Sequence, residues 1–322
     1  MMNRRTLLAG VGTVLLAALA LNPAQAAGGR LNVVATTGMI ADAITQVGGE
    51  RVEVRALMGP GVDPHGYRQT RSDIMAMTSA DAVFWHGLSL EAQLEQFFHE
   101  LGDIKPVVAL AELLPRDSLL GSEEYEGRHD PHVWMDPTLW ADVVEAARDS
   151  LTDLDPEGAE TFAANAETHL QELSELQDYA AGVLATVPPE ARVLVTAHDA
   201  FNYFGRAYDY EVMGIQGIST ESEAGLAQIE SLVRLLVDRR IGGIFVESSV
   251  SDRNVMALIE GARAQGHDLT IGGELFSDAM GSPGSYEGSY IGMIDHNVTT
   301  ITRALGGEAP EKGMKGLLGD VK

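Results

Sequence analysis

The sequence predicts an α/β fold of two lobes with parallel sheets flanked by helices, bridged by one long rigid helix. Three observations predict it. Short apolar runs alternate with helical patterns along most of the chain, the mark of parallel sheets covered by helices. One segment, 155–187, breaks that alternation with a purely helical pattern. The chain is also 322 residues long and 45% apolar, enough for a core of that size without disulfides.

In the first half the strand candidates are Leu31–Thr37, Val52–Leu57, Ala82–Trp85 and Val107–Leu110. In the second half they are Arg192–Ala197, Glu211–Ile215, Gly243–Glu247 and Leu269–Gly272. Helical spacing falls between them, as over Leu226–Asp238 and Arg253–Gln265. In the segment without strands, Phe162, Ala166, Leu170, Leu173, Leu176, Ala180, Val183 and Val187 recur on one helical face. Asp155 is placed to cap that helix, Pro156 suits its first position and Pro188-Pro189 ends it. Roughly thirty residues at 1.5 Å each make a rod of about 45–50 Å. That length suits a strut between lobes better than a coiled-coil arm. The expected organisation is a signal peptide at 1–26, a lobe at 27–152, a linking helix at 153–188 and a second lobe at 189–322.

Composition excludes several function classes. With 47 acidic and 22 basic residues the net charge is −25, a surface that repels nucleic acid and anionic membranes. The chain has no cysteine, so thiol catalysis, iron–sulfur clusters, zinc ribbons and lipid attachment through a thiol are excluded. A metal site must then use histidine, carboxylate or backbone oxygen. Arg4 and Arg5 precede an apolar run from Leu7 to Leu21, and Ala24-Gln25-Ala26 forms a small-x-small cleavage site. The run is short for a membrane span. Export to the periplasm is expected, by the Sec or the twin-arginine route, with cleavage after Ala26 and no lipid anchor. No P-loop, G-x-S-x-G elbow, H-E-x-x-H helix or dinucleotide fingerprint is present.

Nine histidines remain to be placed. His65 lies in the turn-rich stretch Gly59-Pro60-Gly61-Val62-Asp63-Pro64-His65, beyond a strand. His132 lies in His129-Asp130-Pro131-His132, also among turns. His198 follows the Arg192–Ala197 strand, and Asp278 follows the last one. Two candidates per lobe, all on loops, can meet across a cleft, because open α/β sheets bind ligands beyond the carboxyl ends of their strands. Three neutral imidazoles and one carboxylate suit zinc, manganese or iron(II). His86 is read as closing a strand end and His267 as a turn residue. His99, His169 and His296 are read as surface or interface residues, and His129 as an auxiliary donor at most. Glu247 and the Glu221/Glu223 pair can orient ligands or simply cap the surface.

Around these four positions the sequence resembles the zinc- and manganese-binding solute-binding proteins of ABC metal transporters. The resemblance rests on Val62-Asp63-Pro64-His65-Gly66-Tyr67, Asp130-Pro131-His132-Val133-Trp134-Met135-Asp136-Pro137, Thr196-Ala197-His198-Asp199-Ala200-Phe201-Asn202-Tyr203-Phe204 and Ser277-Asp278-Ala279-Met280-Gly281. Gly217-Ile218-Ser219-Thr220-Glu221-Ser222-Glu223 and Gly243-Ile244-Phe245-Val246-Glu247 add to it. It implies metal held between the lobes by His65, His132, His198 and Asp278. It implies a permease and an ATPase as partners, and no enzymatic activity. A monomer is expected. Manganese-type members typically carry Glu at the third position, so His198 leans toward zinc. The short stretch 121–129, where zinc specialists carry a long histidine-rich loop, leans away from it. The competing reading is a zinc-dependent hydrolase, which needs an open coordination position for water.

Overall fold

The computed structural model describes residues 29–122, 127–222 and 224–319, so the signal peptide expected at 1–26 lies outside the described residues. The first lobe runs β1 (Leu31–Ala35), α1 (Gly38–Gly48), β2 (Val52–Ala56), α2 (Arg71–Ser79), β3 (Ala82–Trp85), α3 (Glu95–Gly102), β4 (Val107–Ala109) and α4 (Pro137–Leu154). Its four strands form one parallel sheet in the order β2-β1-β3-β4. α5 (Ala159–Leu184) then leads to the second lobe. That lobe runs β5 (Val193–Thr196), α6 (Asn202–Tyr208), β6 (Glu211–Gly214), α7 (Leu226–Arg239), β7 (Gly243–Glu247), α8 (Arg253–Ala264), β8 (Thr270–Leu275) and α9 (Tyr290–Ala304). Here β5 pairs with β6 and β7 with β8, both in parallel. β5 also lies against β7, without a registered ladder between them.

Each predicted strand segment is a strand, and two local details differ. The last strand does not stop at Gly272. Gly272 is the extra residue of a bulge, because Ile271 faces Ile244 while Gly273 faces Phe245. Gly273 stands where Thr300 leaves no room for a Cβ. The glycine pair therefore marks close backbone approach within the strand and not its end.

The long helix also begins later than its sequence pattern. Pro156–Gly158 forms a single 3₁₀ turn, and the α-helix spans 26 residues, about 39 Å. Asp155 does not cap it, because Arg51 takes its carboxylate at 2.6 Å. The buried face, Phe162, Ala166, His169, Leu173, Leu176, Ala180 and Leu184, includes a histidine, which places His169 at a packing interface.

These elements close on a core that ignores the lobe boundary. Val33, Ile40 and Ala43 of the first lobe, Trp134 and Trp140 around the start of α4, Phe162 and Leu173 of α5, and Phe204, Tyr290 and Val298 of the second lobe belong to one buried cluster. Outer cores sit at either side of it. Met77, Val83, Trp85 and Phe98 pack in the first lobe, and Val195, Ile215, Val233, Ile244 and Leu258 in the second. The lobes are thus fused through one shared core.

Tyr290 concentrates this fusion. Its ring stacks on Trp140 with centroids 5.1 Å apart, and its hydroxyl donates to the Trp134 carbonyl at 2.8 Å. Its backbone N–H donates to Asp42 of α1 at 3.1 Å. Tyr290→Phe keeps the stack and deletes the hydroxyl bond. A loss of about 1–2 kcal/mol in urea unfolding, with an unchanged m-value, is the expected outcome. A wild-type midpoint would show that this bond contributes nothing net to the fusion.

Candidate metal centre

Each of the four predicted residues sits on a loop at the cleft. His65 follows β2, and His132 precedes α4 at a 3₁₀ turn over Val133–Met135. His198 lies just beyond β5, and Asp278 just beyond β8. The fold brings all four together. One donor atom from each lies within 4.8 Å of the other three, and all four side chains are buried.

The separations have a chemical meaning. His65 Nε2 stands 3.3 Å from His132 Nε2. Asp278 oxygens stand 3.2 Å from His198 Nε2, 3.5 Å from His132 Nε2 and 3.9 Å from His65 Nε2. Four ligands placed tetrahedrally around zinc, with bonds near 2.0–2.1 Å, stand about 3.3 Å apart. His198 Nε2 and both Asp278 oxygens have no aligned hydrogen-bond partner among the described residues. Buried polar atoms are normally paired. Unpaired donors converging at this spacing are able to hold a metal ion.

Carboxylates behind the imidazoles fix their orientation. Asp130 Oδ1 lies 2.7 Å from His132 Nδ1 and also accepts the His132 backbone N–H at 2.9 Å. Glu247, at the end of β7, repeats the arrangement at His198, with 2.5 Å to Nδ1 and 2.8 Å to the backbone N–H. Such pairs leave Nε2 as the free donor and raise its basicity. His65 is held instead through its backbone N–H, which donates to Asp63 Oδ1 at 2.8 Å. Trp134 Nε1–H donates to the Ser277 carbonyl at 2.8 Å, tying the His132 loop to the Asp278 loop.

The electrostatics follow from burial and these partners. Desolvation pulls His65 down to about 3, so its ring is neutral at physiological pH. Burial acts on His198 in the same sense, but the Asp278 and Glu247 carboxylates overcome it and hold that imidazole well above its ordinary value. Burial would raise Asp278, yet the three facing imidazoles hold it well below the usual carboxylate range.

The remaining histidines are elsewhere, with one instructive case. His86 is fully buried behind the cluster, stacked over Trp140 and edge-on to Trp134. Its Nε2 lies 2.7 Å from the Pro131 carbonyl, and desolvation drives its pKa down to about 3, so it donates as a neutral ring. It therefore supports the loop of His132, a role that a lone strand-end histidine does not announce. Glu91 is a second such case. It is buried and accepts from Thr36 Oγ1 and the backbone of His86, bracing the β1 and β3 ends. His129 bridges to Gly121 through its backbone and lies outside the four-residue group. His99, His267 and His296 lie away from it, the last two bonded to the Ile241 and Glu274 carbonyls, and His169 is buried in α5. Glu221 faces Gln93 and not the donors, and Glu223 lies outside the described residues.

Two α/β lobes closing on a buried cluster of three histidines and one aspartate have the build of a solute-binding receptor for cations. The family described as "Zinc-uptake complex component A periplasmic" (ZnuA) matches residues 33–304, and the chain belongs to that family. It is similar to the manganese-binding lipoprotein MntA of Bacillus subtilis, with 44% identity over 276 residues, 86% of this chain and 90% of the relative. It is similar to the zinc-binding protein TroA of Treponema pallidum, with 45% identity over 280 residues, 87% of this chain and 90% of the relative. The solved structure of the TroA periplasmic zinc-binding protein superposes with a TM-score of 0.84 at 44% identity, covering 86% of this chain and 99% of that one. The family consists of receptors that work with an ABC permease and ATPase, and not of enzymes, which removes the hydrolase alternative. No helix among the described residues is long and apolar enough to cross a membrane.

Glu247→Gln preserves the shape of the His198 contact and removes its charge. In the metal-free protein His198 should then titrate at lower pH than in wild type, as read by imidazole ¹⁵N NMR. The sign for stability follows. Because the folded value is raised above the unfolded value near 6.5, the stabilisation is complete below about pH 6.5. It is lost as pH rises through the folded value, and the substitution should shrink that loss. An unmoved titration would assign the whole effect to Asp278.

Proposed function

We propose that this protein is the periplasmic receptor of a metal ABC importer. It captures one divalent transition ion through His65, His132, His198 and Asp278 and delivers it to the permease. One observation carries the reading: four buried donor atoms lie within 4.8 Å of one another, with His198 Nε2 and both Asp278 oxygens unpaired. Asp130 and Glu247 set the rings, and the ion supplies the missing partner. Zinc and manganese are the proposed cargo, as the names of TroA and MntA suggest for those relatives. Iron(II) is compatible with the same donors. Zinc will bind more tightly than manganese in vitro whatever the cargo, by the Irving–Williams order.

The receptor acts as a monomer, with residues 1–26 as its export signal and the lobes at 27–152 and 189–322 joined through 153–188. MntA is a lipoprotein, whereas the 322 residues here include no cysteine to carry a lipid. The fused base supports loop rearrangement and a modest lobe shift over wide closure.

Metal-free protein loaded competitively with zinc, manganese and iron at buffered free concentrations, then analysed by mass spectrometry, tests the reading. One ion per chain is expected. Ala at His65, His132, His198 or Asp278 should each weaken binding by at least roughly 100-fold without unfolding the apo chain. Wild-type affinity in all four variants would overturn the ligand set. Affinity should also fall with pH, because the ion must displace the proton that Asp278 and Glu247 favour on His198. Proton release on binding, measured by calorimetry in buffers of different ionisation enthalpy, checks that sign.

A further inference from the structure

Asp63 grips a candidate ligand with one oxygen and the opposite lobe with the other. Its Oδ1 accepts the His65 backbone N–H at 2.8 Å, and its Oδ2 accepts the Thr220 hydroxyl at 2.5 Å. Thr220 belongs to the loop that follows β6 in the second lobe. That loop is braced from within. Gln216, only 8% exposed, donates its side-chain amide to the Ser222 carbonyl at 3.1 Å and the Thr220 carbonyl at 3.4 Å. The same loop touches the neighbour of a second ligand, because Asp199 N–H donates to the Gly217 carbonyl at 3.3 Å. Glu221 continues the seam by accepting from Gln93 at 3.4 Å. A Cβ on Gly66 would meet Glu221 Oε1 at 2.7 Å, so the glycine beside His65 leaves room for this contact.

The four donors are not held equally. His132 and His198 are each gripped at both ring and backbone by a carboxylate of their own lobe. His65 is held through its backbone by Asp63, whose other oxygen depends on the far lobe. It is also the most exposed of the four at 4%, against 2% or less for the others. We infer that the Thr220–Asp63 hydrogen bond is an inter-lobe latch that keeps His65 in the cluster and sets the rate at which a bound ion leaves, with His65 the first ligand to let go. Thr220 is thus a positioning residue acting through Asp63, and the inference rests on the metal-binding reading above.

The test uses the full chain loaded with one equivalent of zinc and mixed with excess chromophoric chelator in a stopped-flow instrument. Thr220→Val keeps the side-chain shape and removes the donor, and Thr220→Ser restores the donor. A hydrogen bond to a charged acceptor that is lost on release corresponds to roughly a tenfold or greater rise in zinc dissociation for the valine variant. Its association rate and apo urea midpoint should stay near wild type, and the serine variant should return the slow rate. Wild-type dissociation in the valine variant would overturn the latch. So would equally fast dissociation in both variants, which would assign the effect to loop packing. A wild-type chain that takes up no zinc would overturn the metal-binding reading itself, and the latch with it.

Discussion

Three imidazoles and a carboxylate buried face to face, with His198 Nε2 and both Asp278 oxygens lacking an aligned hydrogen-bond partner among the described residues, form an arrangement that a chain cannot hold without help. Desolvating such groups costs several kcal/mol each unless something compensates. Here the compensation is layered. Asp130 and Glu247 turn two rings so that Nε2 points inward, the backbone N–H of each ligand histidine is taken by a carboxylate, and Asp278 faces all three rings. The four donors together are a group able to hold a metal ion. The loops that carry these residues, and the strands that end just before them, are placed to make that convergence.

The shared core and the donor cluster are linked. Trp134 serves both parts of the structure. Its ring belongs to the buried base, its indole N–H reaches the carbonyl next to Asp278, and its own carbonyl accepts from Tyr290. The loops of His132 and Asp278, which come from opposite lobes, are therefore tied through one residue. The outer cores are each confined to one lobe. The His65 loop is joined to the far lobe through Asp63. Packed cores shift between discrete arrangements and resist continuous deformation, so small loop movements are the natural way to admit and release an ion.

The donor set is chemically permissive, which matches relatives named for zinc and for manganese within one family. Imidazoles suit both ions, and affinity order by itself favours zinc. Selectivity then depends on how freely the ligands adjust to a second coordination geometry. That is a property of the carboxylates and loops behind the donors more than of the donors themselves.

Much of this was legible in the residues. Periodicity located the eight strands and the long helix, because side-chain alternation is a local property of the backbone. Turn chemistry and loop position singled out His65, His132, His198 and Asp278 from nine histidines and many acids. Other features depend on contacts far apart in the chain. Arg51 takes the Asp155 carboxylate from 104 positions away, so a good capping residue does not cap. His86 supports Pro131 only because β3 ends beside that loop, and the room for a side chain at Gly272 and Gly273 is taken by Phe245, Ala304 and Thr300, which are distant in the chain. Local pattern thus determined the elements and the donor types. Burial, donor spacing, protonation and the bond from Thr220 to Asp63 were decided by tertiary structure, since desolvation and distance exist only once the lobes have closed on each other.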